Sequence, residues 1–142
     1  MKINVQNNSV NYLLIQVCKA WRNKANEMLA KYSVHAGQDV LLSYLGKEDG
    51  QTVSSLVDNV CIQHATMIRM LDRMEATGLV NKIKDNNDMR VSRIFLTDKG
   101  KEAVKNVRSV WKAMEQNTSS AISEKDQITL RRILQDVLKN MQ

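Results

Sequence analysis

Residues 63–97, QHATMIRMLDRMEATGLVNKIKDNNDMRVSRIFLT, change period part-way along, and that change decides the fold. Up to Gly78 the apolar side chains recur at helical spacing. At about 100° per residue Met67, Met70, Leu71 and Met74 fall on one side, and Ala65, Thr66, Arg69, Asp72 and Arg73 on the other. Gly78 closes this helix, with Leu79 placed for the hydrophobic contact of a C-terminal glycine cap. From Val80 the period is two. Val80 to Lys84 reads as a strand, Asp85-Asn86-Asn87-Asp88 as a polar turn, and Val91 to Leu96 as the returning strand.

Working outward, a long helix is expected from Val10 to about Tyr32, striped by Val10, Leu14, Val17, Trp21, Ala25, Met28 and Tyr32. A second spans about Ala36 to Leu45, with Val40, Leu41, Tyr44 and Leu45 inward, and the acidic stretch Gly46 to Gly50 ends it. Thr52 or Ser54 can cap a short third helix carrying Val53, Leu56, Val57 and Val60; the fourth begins near Gln63. Beyond the hairpin, Thr97 can cap a helix lined by Val104, Val107, Trp111 and Met114. Ser123 and Asp126 resemble a capping box before a last helix lined by Leu130, Leu134, Val137 and Met141. With no proline in the chain, nothing interrupts these helices. The expected fold is mainly α with a small β-hairpin wing: a winged helix-turn-helix flanked by N- and C-terminal helices. The terminal helices carry more apolar surface than a small reader needs, and packing of two chains through them is the simplest way to bury it.

With 142 residues and 43% of them hydrophobic, the chain suits one globular domain. There is no apolar run near the ~20 residues that span a bilayer, and Met1 to Asn7 lack the apolar core of a signal peptide. A cytoplasmic protein with no membrane association is expected, and Cys18 and Cys61, in no metal-like spacing, are expected to be reduced thiols. The net charge of +6 favours a polyanion only weakly, because it is dispersed. Basic residues outnumber acidic ones five to one in residues 1–35, seven to five in 61–100 and eight to five in 101–142. In residues 36–60 one basic residue faces four acidic ones.

Position makes the stronger case. A helix that enters a major groove ~12 Å wide needs small or hydrogen-bonding residues in its first turn, and arginines that reach bases or phosphates. Gln63, Thr66 and Arg69 meet that need; Arg73 is better placed for a phosphate, and Ile68 on the flank for a thymine methyl. Arg69, Asp72 and Arg73 also fit a solvated helix face with local ion pairs. The hairpin shifts the balance, since Lys82, Lys84, Arg90 and Arg93 surround its turn, and a thin loop tipped by arginine can enter a minor groove.

From about Val34 to Lys101 the chain resembles the MarR family of bacterial transcription regulators. The resemblance rests on Gln38 and Leu41, then Thr66-Met67-Ile68-Arg69-Met70-Leu71-Asp72-Arg73-Met74-Glu75 followed by Gly78-Leu79-Val80. It continues through Asp85 and Asp88-Met89-Arg90 into Leu96-Thr97-Asp98-Lys99-Gly100. It implies one domain over residues 1–142, with dimerisation helices in 1–34 and 98–142 and the winged helix-turn-helix in 35–97. The implied protein is a homodimer on double-stranded DNA, a ligand-released repressor whose near-palindromic operator has half-sites ~34–36 Å apart. Arg90 stands at the family's minor-groove position. Asp88 would hold the wing through Arg73 or Arg93, and Ser54 would support phosphate contacts. Lys84 and Arg93 are further expected DNA contacts. Gln63 and His64 stand where the family usually has small residues at the start of the reading helix; both are counted with the DNA contacts. His35 replaces a common helix-capping threonine or serine.

The family's small aromatic or phenolic effectors point to Tyr12, Trp21, Arg22 and Trp111 as a candidate ligand site, although aromatics at helical spacing are more often core. In peroxide-sensing relatives the reactive cysteine aligns with Leu14; Cys18 falls one turn later, which disfavours that chemistry. Cys61 reads best as a small hydrophobe. His35 and His64 have no zinc-ligand spacing, and no GxSxG, HExxH or glycine-rich phosphate loop occurs. No cofactor, metal or catalytic activity is expected. The competing expectation is a winged-helix protein–protein interaction module without specific DNA binding.

Overall fold

A computed structural model describes residues 8–142; the reading of Met1 to Asn7 lies outside the described residues. Helix α1 (Val10–Ala30) starts where the Ser9 hydroxyl accepts the Tyr12 N–H at 3.1 Å. Helix α2 (Gln38–Lys47) begins two residues later than the apolar pattern suggests, because Gly37 takes φ +88° and offers no capping side chain. The Gln38 side chain closes this start instead, accepting the His35 N–H at 3.1 Å.

A strand of two residues, β1 (Gln51–Thr52), precedes α3 (Val53–Val60). Thr52, and not Ser54, caps α3, accepting the Ser55 N–H at 3.1 Å. Buried Gln51 ties the neighbourhood together: its amide donates to the carbonyls of Tyr44 (3.0 Å) and Glu48 (2.8 Å) at the end of α2, and accepts from Asn59 (3.2 Å). Helix α4 (His64–Ala76) ends at Gly78, whose φ of +77° only glycine adopts readily. The Leu79 N–H reaches the Met74 carbonyl at 2.8 Å and the Gly78 N–H reaches Glu75 at 3.0 Å, the double closure of a glycine-capped terminus.

Strands β2 (Val80–Lys84) and β3 (Ser92–Leu96) pair antiparallel from Val80↔Leu96 to Lys84↔Ser92, and β1 adds to the other edge of β3. Under this sheet and the helices lies a core of Leu29, Leu41, Leu42, Leu45, Leu56, Met67, Leu71, Met74, Val80 and Ile94, each at most 1% exposed. Burial of one such side chain contributes roughly 1.5–3 kcal/mol, so the underside of α4 is firmly fixed. Helix α5 (Asp98–Ser119) opens with the Thr97 hydroxyl accepting the Gly100 N–H, and α6 (Glu124–Asn140) with the Ser123–Asp126 capping box.

The chain forms two compact units, one running to Trp111 and the other from Lys112 to Gln142. No helix among the described residues is long and apolar enough to cross a membrane.

Candidate nucleic-acid interface

Helix α4 presents two faces because its burial follows its period. Met67, Leu71 and Met74 are wholly buried, which leaves His64, Ala65, Thr66, Arg69, Asp72 and Arg73 exposed. Gln63 is its N-cap residue but makes no side-chain cap bond. Met70, on the same side of the helix as these three, is only half-buried.

The wing is built on Asp85. One carboxylate oxygen receives Arg93 Nε at 2.6 Å, and the other accepts the N–H groups of Asn87 and Asp88, both at 3.1 Å. The same guanidinium donates through Nη1 to the Gly50 carbonyl at 3.0 Å, joining the turn to β1. These hydrogen bonds, that from Arg93 first, hold the Asp85 carboxyl below its usual carboxylate value against a partial desolvation that raises it. Across the root, Lys82 pairs with Asp72 of α4, and its backbone N–H donates to the Glu75 carboxylate at 2.9 Å.

The expected partner of Asp88 needs correcting. It binds neither Arg73 nor Arg93. It accepts from the N–H and Nε of Arg90, two residues on, at 3.0 and 3.2 Å. The turn brings Arg90 next to Asp88, whereas Arg93 lies on the strand opposite Ile83 and meets Asp85 first. Asp88 thus shapes the tip, and Asp85, quoted in the motif but given no role there, anchors it.

The remaining candidates fall into two groups. Ser54, His64, Ile68 and Arg90 line one groove of about 220 Å³ between α3, α4 and the wing, and the Arg90 side chain is 92% exposed there. Thr66, Arg69 and Arg73 line a second depression of about 280 Å³ on the opposite flank of α4, with His35 and Gln38. Lys84 is exposed at the tip end of β2, and Gln63 is exposed ahead of α4. Arg93 differs from the other arginines: its guanidinium is engaged internally, and its side chain is 43% exposed.

Trp21 and Arg22 line a depression of about 410 Å³ with Val17 and Cys18, the Arg22 guanidinium 5.2 Å from the Trp21 ring centre. Tyr12 and Trp111 do not line it. Instead Arg22 Nη1 (3.2 Å) and Trp111 Nε1 (3.1 Å) converge on Asp39, which is wholly buried. Three helices are thereby pinned at one carboxylate. The sequence held a signal for it: Asp39 stands three residues before buried Leu42, on the inward face of α2.

An exposed reading helix, a braced hairpin beside it and a supporting α3 define a winged helix-turn-helix protein. Residues 36–92 match the model of the MarR family. BilQ of Clostridioides difficile, named an HTH-type transcriptional regulator, is 27% identical over 111 residues, 76% of this chain and 75% of that protein. TtmR of Methylorubrum extorquens, also named an HTH-type transcriptional regulator, is 34% identical over 74 residues, 52% of this chain but only 38% of that protein. Among solved structures, MepR of S. aureus in complex with DNA superposes with a TM-score of 0.86 at 25% identity, over 94% of this chain and 99% of that one.

Proposed function

We propose that the chain regulates transcription in the cytoplasm by binding double-stranded DNA sequence-specifically as a homodimer, in the manner of a ligand-released repressor. The observation that carries this reading is the shared groove: the start of α4 and the wing's Arg90 border one surface, with the arginine at its rim and almost fully exposed. Placed on a duplex, Gln63, His64, Thr66, Ile68 and Arg69 would meet the major groove, and Arg90 the adjoining minor groove. Ser54, Arg73 and Lys84 would lie along phosphates. Arg93 would contribute through the wing it braces, adding a phosphate contact with the part of its side chain left exposed. The MepR–DNA likeness supports this placement.

Dimerisation through the terminal helices α1, α5 and α6 is supported by what α1 and α6 leave uncovered. None of the residues of α6 is buried, although Ile128, Ile133, Leu134 and Leu138 lie along it, and α1 exposes Val10, Leu13, Ile15 and Val17. An effector seated beside Trp21 and Arg22 would compete with Asp39 for the guanidinium, a direct route from ligand to helix arrangement.

The test is fluorescence anisotropy of a labelled duplex with parent and Arg90→Ala protein, with dimerisation followed by light scattering. Loss of one groove contact costs about 1–3 kcal/mol, so the variant should bind roughly tenfold or more weakly while remaining dimeric. Equal affinity would refute the wing's role. A parent that bound no duplex under any ligand-free condition would instead favour a protein-interaction module.

A further inference from the structure

On the flank of α4 away from Arg90, the fold gathers hydrogen-bond donors that have nothing to donate to. The depression of about 280 Å³ there is lined by His35, Ala36 and Gln38 at the start of α2, and by Thr66, Arg69, Met70 and Arg73 of α4. Gln38 is only 4% exposed, yet its side chain is half satisfied. The oxygen accepts the His35 N–H at 3.1 Å, and the NH2 group has no partner among the described residues. A donor on so buried a side chain is normally paired. Arg69 and Arg73 form no ion pair among the described residues, although like charges four residues apart on a helix repel.

No carboxylate lines the depression. The two nearest in sequence are turned elsewhere: Asp39 binds Arg22 and Trp111, and Asp72 pairs with Lys82 at the wing root. The shape is set by close approach. A Cβ at Gly37 would lie 2.9 Å from Met70 Cε, so glycine lets the start of α2 rest against α4. Wholly buried Met67 and Leu71 fix α4 from beneath. Thr66, Arg69 and Arg73 recur at intervals of three and four residues, which sets them on one helix face above Gln38.

We infer that this depression seats one phosphate of the duplex backbone, held by the Gln38 NH2 group, the Thr66 hydroxyl and the Arg73 guanidinium, with Arg69 at its edge. The inference deepens the proposed duplex binding and rests on it. A helix ~10–12 Å across nearly fills a major groove ~12 Å wide, so its two flanks face the two strands. One flank carries the groove with Arg90, and the other carries this depression. Gln38 thereby joins the DNA contacts from α2, ahead of the reading motif itself. A contact of this kind fixes the register of the protein on the duplex and carries no sequence information.

The test is fluorescence anisotropy with two labelled duplexes, one carrying a motif selected from a random library and one of mixed sequence. Gln38→Glu keeps an acceptor for the His35 N–H and replaces the donor with a second carboxylate oxygen. It should bind both duplexes roughly tenfold or more weakly, and by the same factor, because a phosphate contact is blind to sequence. Methylphosphonate is then placed at each backbone position in turn. One position per half-site should restore the affinity of Gln38→Glu, since a neutral group no longer repels the carboxylate. Neutralising that same position should weaken Thr66→Val and Arg73→Gln less than it weakens the parent; both residues are exposed, so these variants leave the core intact. Parent-like affinity in Gln38→Glu, a loss confined to the selected motif, or different positions for the three variants would overturn the inference while leaving duplex binding in place. A parent that bound neither duplex would overturn both. A fall in parent affinity when phosphate replaces chloride at constant ionic strength, absent in Gln38→Glu, would assign the seat to free phosphate instead.

Discussion

Asp85 sits at the end of β2, where Arg93 and two turn N–H groups converge on its carboxylate. All three interactions favour the ionised form, so its folded-state pKa lies below the ordinary 3.8. A depressed carboxylate contributes stability above its unfolded pKa and loses it as pH falls through the folded one. The amide shifts of Asn87 and Asp88, followed by NMR, should therefore titrate with a midpoint below 3.8, and Asp85→Asn should abolish that step; a midpoint at or above 3.8 would contradict the brace. Residue types and the order of charges along the wing were legible in the sequence, and so was the exposure of Arg90. Partner choice was not. Asp85 and Asp88 both flank a turn, and only the strand register shows which of them Arg93 meets. Asp39 was missed for a related reason: its partners stand 17 and 72 residues away, on α1 and α5, so no local pattern joins them.

At the scale of elements, the period change at Gly78 gave α4, β2 and β3 to within a residue or so, because helix and strand periods leave different apolar patterns. Two features escaped that logic. Strand β1 is two residues long, too short for any alternation, and exists because β3 offers it an edge. The delayed start of α2 follows from the backbone at Gly37 and the Gln38 side chain, not from apolar spacing. The structure also explains the glycine in Leu96-Thr97-Asp98-Lys99-Gly100. A Cβ at Gly100 would lie 2.0 Å from the Leu79 carbonyl oxygen, a backbone atom that cannot swing aside. Gly100→Ala should force α5 away from the start of β2 and destabilise the fold by about 1–3 kcal/mol. Thermal unfolding should show a midpoint lower by several degrees; an unchanged midpoint would mean that the junction yields without strain.

At the scale of the whole molecule, surplus apolar residues on the terminal helices were visible from spacing alone, and α1 and α6 do expose them, Val10 at 67% and Leu138 at 60%. Their partner was legible only as an expectation, since a second copy is the commonest cover for such a face. The proposed activity unites the scales: a braced wing, a reading helix with a fixed underside, and two copies related by a two-fold axis. Such a molecule would impose its symmetry on the DNA it selects. The measurement that reaches this claim most directly is selection from a random duplex library at near-physiological salt, followed by sequencing of the retained DNA. Two inverted half-sites with centres about one helical turn apart, ~34–36 Å, are the predicted result; enrichment of no motif, or of a single unpaired half-site, would contradict it.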